Sequence, residues 1–505
     1  MLTKNNFSLD VFESYAPTIQ SDDPRYDEVG RHANNFKLFS NAAIIVRPKQ
    51  TDQVHDLLRE TIKHDLRPTV RSGGHCYEDF WTENPGGVLF DLTGMTRLWR
   101  EGKDNTTNGT IWVQPGLRAV HLNDLLWKDF GLIAPVSVCH DVSVNGLVMG
   151  GGYGYLSRKH GLLIDYVDQI EIIRVKKDKS VELVTVGKNS TSQADKDLFW
   201  ALRGGGSQNF GIVTKIGFKN LPTPPPLVIK YYGLFQLGSE ISEKKFTDIL
   251  DKYVKFYLNN SDVDSKYCDL FTDLNLYKKR KTGLFEMSVI VYGDSDAMAR
   301  TLLDFIQLPI ENFTCERSSF YQFMYTTGYS VAPADRDYSY TRNSAYMVGP
   351  MPPHQIKALW RYMTDPKLDI HEGQVQIRGF GCAVSKKEEN DTAYPHRTAK
   401  IKMQYGVIWK NAEEKNTHNK WLEDFFSAMY GAKGPKPDDV MDGCFANYPN
   451  RDLVDWQHLY YKGNYARLKE VKKKWDPLNV FRHRQSIEIS NEKREYDKKL
   501  GETSE

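Results

Sequence analysis

A histidine and a cysteine directly follow a pair of glycines in VRSGGHCYEDF, residues 70–80. Glycine has no Cβ, so Gly73 and Gly74 let the backbone come close to a ligand. An imidazole beside such a turn, here that of His75, serves as a catalyst, a ligand or an attachment point, or it is an ordinary loop residue. The residue types alone leave these roles open.

Two further glycine-rich segments occur downstream, CHDVSVNGLVMGGGYGYLSRKHGLLIDYV (139–167) and RGGGSQNFGIVTKIGF (203–218). Exposed backbone N–H groups in such turns bind anions. No G-K-[ST] follows the glycines, so the first segment is not a P-loop. No acidic residue closes a βαβ unit where a dinucleotide fingerprint needs one. Together with the Gly-Gly pair, the two segments favour a large, extended cofactor over glycines that only permit tight packing.

The hydrophobic pattern predicts an α+β protein. The N-terminal part reads as a helix at 51–65, a strand at 67–71, strands near 88–92 and 111–114, and a helix near 119–129. The run LPTPPP (221–226) predicts a boundary, because stacked prolines continue neither helix nor sheet. Beyond it we expect an antiparallel sheet with helices on one face. Its predicted elements are a helix through 246–254, strands at 284–292, 372–380 and 400–409, and helices near 294–306, 352–363 and 416–430.

The strand GQVQIRGFG alternates polar and apolar residues. Side chains two apart on a strand share a face, so Gln374, Gln376 and Arg378 point the same way. Such a face meets either solvent or a substrate. Amide and guanidinium groups are suited to the hydroxyl groups of a sugar.

Composition excludes several function classes. The 505 residues are 40% hydrophobic and 26% charged, which is typical of a soluble globular protein. A net charge of +2 suggests neither a nucleic-acid nor an acidic-membrane partner. We find no membrane span and no signal peptide, so a cytoplasmic location is the default, without excluding secretion. The 6 cysteines lack CxxC spacing, which argues against a zinc site and a dense disulfide scaffold, and we expect no metal.

Taken in order, these motifs resemble the berberine-bridge-enzyme-like branch of the vanillyl-alcohol-oxidase flavoproteins. RSGGHCYE, Cys139 ahead of GGGYGYLSRKHGLLIDYV, GGGSQNFGIVT and YYKGNYARL…WDPLNVFRHRQSI span residues 67–487. Within that branch, SGGHCYEDF, SAYMVGP (344–350) and GCFANYP (443–449) are most similar to hexose oxidase and related carbohydrate oxidases.

The resemblance implies a division of the chain into three units. A PCMH-type FAD-binding domain of two α+β subdomains covers 1–225. A substrate domain, with an antiparallel sheet covered by helices, covers 226–445. A C-terminal segment, 446–505, returns to the FAD domain.

The resemblance also implies a bicovalent FAD. His75 stands at the family's position for the bond to the flavin 8α-methyl carbon, and Cys139 at its position for the bond to flavin C6. Two such bonds hold the ring system without enclosing it, which permits a wide substrate groove. Further expected cofactor contacts are Arg71, Ser72, Gly73, Gly74, Val142, Asn145, Gly146, Gly151, Gly152, Gly206, Asn209, Gly211, Ile212, Val213 and Asn464.

Alcohol oxidation needs a base that takes the hydroxyl proton while hydride leaves carbon. By resemblance, Tyr460 of the YYKGN motif lies against the flavin and is the predicted base, and Tyr153 faces it. A nearby cation or hydrogen bonds would have to lower the tyrosine pKa from about 10. The alternative is that both tyrosines are core aromatics.

The predicted function is oxidation of a carbohydrate hydroxyl, aldose C1 to lactone, with hydride passing to flavin N5 and O2 reduced to H2O2. Gln374, Gln376 and Arg378 form the predicted substrate floor, and Val142 leaves room for O2 where poorly oxygen-reactive relatives carry leucine. The expected partners are a carbohydrate or glycoside and O2. The protein itself is expected to be a monomer or a homodimer. Alternatives are an oxidoreductase of a glycosylated natural product, a ring-forming alkaloid-type enzyme, and a flavin-free carbohydrate-binding protein.

Overall fold

Three β-sheets follow one another along the chain in the computed structural model, which describes residues 10–32, 35, 38–101, 109–136, 138–327 and 338–489. The first has the strand order β1-β2-β4-β3, in which β2 and β3 each run parallel to β4. Its strands are β1 (Thr18–Gln20), β2 (Ile44–Val46), β3 (Pro68–Arg71) and β4 (Val88–Asp91).

The second sheet is antiparallel, with the order β5-β6-β9-β7-β8. Helix α3 (Thr51–Lys63) joins it to the first sheet, because its buried Leu57 and Leu58 share one core with Ile173 and Ile212. The strands are β5 (Leu98–Arg100), β6 (Ile111–Val113), β7 (Val167–Val175), β8 (Val181–Gly187) and β9 (Ile212–Phe218).

The third sheet is antiparallel and seven-stranded, with the order β13-β10-β12-β11-β15-β16-β14. Helices cover one face of this sheet. Helix α8 (Glu243–Asn259) is an example of how the sequence forms such a covering helix. Ser242 caps α8 by accepting a hydrogen bond from the Lys245 N–H, and Phe246, Ile249 and Leu250 bury one stripe of the helix. The strands are β10 (Val228–Gln236), β11 (Leu270–Lys279), β12 (Thr282–Tyr292), β13 (Thr314–Ser318), β14 (Ser339–Met347), β15 (Glu372–Gly379) and β16 (Ile401–Trp409).

The helices connect and cover these sheets. Those of the first two sheets are α1 (Asp10–Glu13), α2 (Tyr26–Gly30), α3 (Thr51–Lys63), α4 (Ala119–Phe130), α5 (Val144–Gly150), α6 (Ser157–His160) and α7 (Gln193–Ala201). Those that follow are α8 (Glu243–Asn259), α9 (Ala297–Phe305), α10 (Phe320–Thr326), α11 (Pro353–Thr364), α12 (Lys415–Tyr430), α13 (Trp456–Tyr461) and α14 (Asn464–Trp475). No helix in the described ranges is both long and apolar enough to cross a bilayer.

The predicted α+β class, with an antiparallel sheet covered by helices, is confirmed. The predicted boundary at residue 225 falls between β9 and β10, and the division into three units stays a prediction. Sequence patterns missed β10, β11 and β14, which carry polar residues on the face turned away from the helices. The structure also joins Cys268 to Cys382 in a disulfide, which the cysteine spacing did not predict.

Candidate active site

A cavity of about 500 Å³ lies between the glycine-rich loops and the inner face of the seven-stranded sheet. All three segments singled out in the sequence line it, through 70–77, 142–149 and 206–211. Cofactor sites are concave and fall in this range of volume, with a few polar groups converging on them. The fold therefore brings distant glycine-rich segments to one ligand site.

The Gly-Gly turn is fixed by two arginines. Arg71 ends β3 and pairs with the fully buried Asp91, with its Nη2 2.7 Å from Oδ2. Arg118 donates from Nη1 to the Gly73 carbonyl at 2.8 Å. A Cβ at Gly73 would lie 2.9 Å from the Ser143 backbone nitrogen, so this position admits only glycine without a shift. Arg71 thus lines the cavity as predicted, but its guanidinium is committed to Asp91.

His75 and Cys139, the predicted attachment residues, line the same cavity. His75 Nε2 lies 3.2 Å from Asp141 Oδ2, which orients the imidazole. Burial lowers the His75 pKa, with Asp141 opposing, so the neutral ring is favoured. A neutral imidazole nitrogen is nucleophilic, as an attachment residue requires. Cys139 takes no part in the disulfide.

The third glycine-rich segment is tied to the C-terminal helix. Gly206 has φ +88, and a Cβ there would lie 2.6 Å from Tyr461 Oη. Asn209 is buried and accepts the Ile487 N–H on its Oδ1 at 2.8 Å. The buried Lys472 Nζ donates to the Asn209 carbonyl at 2.7 Å. The segment 446–489 therefore holds this loop against the cavity.

Several buried polar atoms beside the cavity have no hydrogen-bond partner among the described residues. They are Asn145 Oδ1, Ser143 Oγ and Tyr153 Oη. Such atoms are rare in native proteins unless a ligand or water satisfies them. Together with the glycine turns they fit a large flat cofactor with polar edges, as FAD is. Of the residues predicted to hold it, Ser72, Gly73, Gly74, Val142, Asn145, Gly146, Gly206, Asn209, Gly211 and Val213 line the cavity.

Four predicted cofactor contacts, Gly151, Gly152, Ile212 and Asn464, do not line this cavity, and their contact with the cofactor stays a prediction. Gly151 packs on Tyr394, and Gly152 packs on Leu163 at φ +75, so both glycines serve tight packing. Ile212 is fully buried in the core shared with α3. Asn464 donates to the Glu389 carbonyl at 2.7 Å and so fixes a loop.

The floor of the cavity is a grid of side chains on neighbouring strands. Gln374, Gln376 and Arg378 of β15 all line it, as the alternating pattern predicts. In register, Gln376 stands between Asn275 and Gln404. Arg378 stands between Asp273 and Lys402. Gln374 stands between Tyr277 and Gly406.

Arg378 does not offer its full guanidinium to a ligand. Its Nε and Nη2 donate to the two carboxylate oxygens of Asp273, each at 2.9 Å. A bidentate pair of this kind fixes both side chains. Gln374 accepts a hydrogen bond from Arg342 Nη1 at 3.3 Å, for which Gly406 leaves the space. Arg378 is therefore a positioning group in the floor.

A buried lysine behind the cavity wall lies among three aromatic rings that line the cavity. Lys402 Nζ is 3.9 Å from the ring centroid of Tyr448, 4.4 Å from that of Tyr153 and 4.5 Å from that of Phe445. Burial and the neighbouring Arg378 lower the Lys402 pKa well below its usual value. Aromatic faces favour its charged form. The lysine thus links the predicted Tyr153 to Tyr448, which sequence analysis did not single out.

Tyr448 and Tyr460 both line the cavity, in different electrostatic surroundings. Burial raises the pKa of Tyr448, while Arg378 and Arg342 oppose that rise. Burial raises the pKa of Tyr460 well above 10. The Asn450 N–H, which donates to the phenol oxygen at 3.1 Å, opposes this rise. The cation expected beside Tyr460 is found beside Tyr448 instead.

Two protein-family models match the chain, FAD binding domain over residues 42–183 and Berberine and berberine like over residues 444–488. Hexose oxidase of Chondrus crispus is 29% identical, over 94% of this chain and 96% of the relative. In these two stretches, and over nearly its whole length in the relatives, the chain is similar to berberine-bridge-enzyme-like FAD-linked oxidoreductases. The chain is therefore a flavoprotein, and the alternative of a flavin-free carbohydrate-binding protein is not favoured.

The names of two further similar proteins refer to aclacinomycin and to a glycopeptide. Aclacinomycin-N/aclacinomycin-A oxidase of Streptomyces galilaeus is 28% identical, over 92% of this chain and 88% of the relative. A solved glycopeptide hexose oxidase, complexed with teicoplanin, superposes with a TM-score of 0.85 at 28% identity, over 94% of this chain and 99% of that one. The likeness confirms the PCMH-type fold.

The residues that sequence analysis missed had a usable signal. Lys402 and Gln404 alternate with apolar residues in KIKMQY, just as Gln374 and Gln376 do on β15. Tyr448 lies in GCFANYP, which was quoted only for its resemblance. Neither pattern reveals that the two segments meet, since that depends on the sheet order.

We expect Gly73→Ala to lower the flavin content of this flavoprotein by about half or more, because the added Cβ would push Ser143 away from the cavity. The measurement is the ratio of flavin to protein absorbance after purification. Gly463→Ala is the matched control, since a Cβ there meets nothing within 4 Å. Equal flavin content in both variants would contradict the tight fit assigned to Gly73.

Proposed function

We propose that this flavoprotein is an oxidase of a carbohydrate hydroxyl group, converting an aldose at C1 to the lactone with O2 as electron acceptor. The floor of the cavity is the observation that carries the proposal. Amide and guanidinium groups of adjacent strands form a continuous hydrogen-bonding surface opposite the cofactor-side loops. Sugar hydroxyls both donate and accept, so amides that do the same match them.

The reaction breaks a C–H bond and an O–H bond of the substrate and forms C=O, releasing hydride and a proton. FAD, when bound, supplies the two-electron acceptor, from which O2 takes the electrons to become H2O2. The chain has to orient the sugar and accept the hydroxyl proton. The sheet floor orients it, and a tyrosine of the cavity wall accepts the proton.

Tyr448 is the proton acceptor that the electrostatics favour. A phenolate is stabilised by positive charge close to its ring and oxygen. Burial raises the Tyr448 pKa, and the Arg378 and Arg342 guanidinium groups oppose that rise, while Lys402 Nζ lies 3.9 Å from the Tyr448 ring centroid. Tyr153 also packs against Lys402, and its buried hydroxyl has no hydrogen-bond partner among the described residues, so it is suited to hold the substrate hydroxyl. Tyr460 remains the alternative base.

Attachment of the cofactor at both His75 and Cys139 is the second part of the proposal. Both residues line the cavity, and Asp141 holds the neutral imidazole of His75 in place. With the flavin fixed by bonds, the protein does not have to enclose it. That agrees with a cavity open toward a long polar floor.

A second candidate substrate class is a glycosylated natural product. The floor runs across β12, β11, β15, β16 and β14, which at the usual strand spacing is about 19 Å. That width exceeds one sugar ring. The relatives named for aclacinomycin and the structure with teicoplanin favour this class.

We expect His75→Ala and Cys139→Ala each to keep flavin on the acid-denatured chain, through the remaining bond, and the double variant to release it. The measurement is absorbance of the precipitated protein and the supernatant. Cys76→Ala, next to His75 in the same loop, is the control and should keep both bonds. Release of all flavin from the denatured wild type would rule out covalent attachment.

We expect Tyr448→Phe to slow anaerobic flavin reduction by sugar about 100-fold or more, the usual effect of losing an acid–base group. Arg342→Met should move the rising limb of the pH–rate profile to higher pH, because the Tyr448 phenolate loses a guanidinium that opposes the rise of its pKa. Stopped-flow absorbance measures both. The matched variant is Tyr460→Phe. If it shows the 100-fold loss and Tyr448→Phe does not, Tyr460 is the base.

We expect Val142→Leu to leave flavin reduction unchanged and to slow reoxidation in air about tenfold or more, because the extra methylene fills space at the cavity wall. Stopped-flow mixing of the reduced protein with O2 gives the rate. An unchanged rate would contradict gating by Val142, and a wild type that stays reduced in air would contradict the oxidase assignment.

A further inference from the structure

The cavity floor ends at β12 in a carboxylate that has no cationic partner among the described residues. Glu286 Oε1 accepts hydrogen bonds from Asn275 Nδ2 at 3.0 Å and Tyr277 Oη at 3.4 Å, and its Oε2 accepts from Tyr232 Oη at 3.1 Å. All three donors are neutral. Over the described ranges of the chain, no lysine, arginine or histidine forms an ion pair with Glu286.

Asn275 adds an unsatisfied acceptor to this end of the cavity. It is 5% exposed and lines the cavity, and its Oδ1 has no hydrogen-bond partner within the described residues. The amide orientation is fixed by its neighbour, because a flipped Asn275 would turn its oxygen toward the Glu286 carboxylate. A charged acceptor and a neutral acceptor therefore stand side by side.

Aromatic rings surround the two acceptors. Tyr277 lines the cavity beside Glu286, and Tyr232 flanks it from β10. The faces of such rings attract cations. Lys279 Nζ and Lys230 Nζ already lie 5.4 Å and 6.0 Å from the centroids of Tyr277 and Tyr232, respectively. Carboxylate, amide oxygen and ring faces are the groups that recognise an ammonium ion.

We propose that Glu286, Asn275 and Tyr277 form a subsite for the protonated amine of an amino sugar unit in the substrate. An ammonium has three donors and positive charge, so it satisfies Asn275 Oδ1 and compensates the carboxylate together. A hydroxyl group would satisfy the oxygen but leave the partly buried charge uncompensated, at a cost in free energy. The proposal rests on the proposed carbohydrate-oxidising function.

The position of this subsite indicates which unit carries the amine. Lys402, beside the tyrosines that handle the reacting hydroxyl, is on β16, and Glu286 is on β12. Three strand spacings, about 14 Å, separate these strands. The amine therefore belongs to a second or third sugar ring, and the oxidised unit itself need not be an amino sugar.

The test compares two trisaccharides of the same β-1,4 linkage, one of glucosamine units and one of glucose units, with the FAD-loaded protein. At about pH 6 the amine is protonated. We expect wild type to prefer the glucosamine trimer in kcat/KM by about tenfold or more. Glu286→Gln should remove most of this preference, and so should raising the pH to about 9, where the amine is neutral.

Glu316→Gln is the matched control. It removes the same charge from the exposed edge strand β13, and the preference should stay as in wild type. An unchanged ratio in Glu286→Gln, or no preference in wild type, would overturn the subsite. If wild type oxidises neither trimer, the proposed function fails, and calorimetric binding of the glucosamine trimer to wild type and Glu286→Gln then decides the subsite separately. Equal affinities would overturn it there too.

Discussion

A buried arginine that pairs with no carboxylate of the described residues joins the two walls of the cavity. Arg158 lies within the glycine-rich segment 139–167, and its guanidinium enters the substrate-side half of the chain. Its acceptors are the Leu270 carbonyl at 2.9 Å, Ser261 Oγ at 2.8 Å, the Asn260 and Tyr267 carbonyls at 3.1 Å, and the Phe380 carbonyl. Each acceptor left unpaired would cost about 1–3 kcal/mol. Arg158 therefore ties the cofactor-side loops to the half of the chain that carries the sheet floor, and the Cys268–Cys382 disulfide joins two of the segments that accept its hydrogen bonds.

With the two walls of the cavity held together in this way, the floor can contain charged side chains that would be unfavourable in an apolar core. Asp273 neutralises Arg378 through a bidentate pair, and aromatic faces surround Lys402. These groups contribute little to stability, because each is removed from water at a cost close to what its partner returns. Their value is electrostatic: the Arg378 guanidinium opposes the rise that burial causes in the pKa of Tyr153 and of Tyr448, beside which the proposed reaction releases a proton.

Much of this fold could be predicted from local patterns, since α3, α4, α8 and β15 each carry a clear periodicity. The family resemblance also located His75 and Cys139 on the cavity. What could not be predicted depends on partners far apart in the chain. The resemblance placed Arg71 among the cofactor contacts, and its ion pair could not be foreseen because the partner, Asp91, belongs to a neighbouring strand. Tyr448 was missed because its cation comes from β16, and nothing local announces that approach.

The floor is a lattice with two spacings. Along a strand, side chains on one face recur about every 6.8 Å, and across strands about every 4.8 Å. The opposite face carries the apolar core under α8, α11 and α12, so any lattice point can be exchanged without disturbing that core. Descendants of such a protein could acquire new substrates through single substitutions on the floor. Each substitution would change one contact, at a position set by the two spacings. A sheet used in this way can change its specificity while its backbone stays the same. Loops that bind ligands lack this regular spacing of side chains.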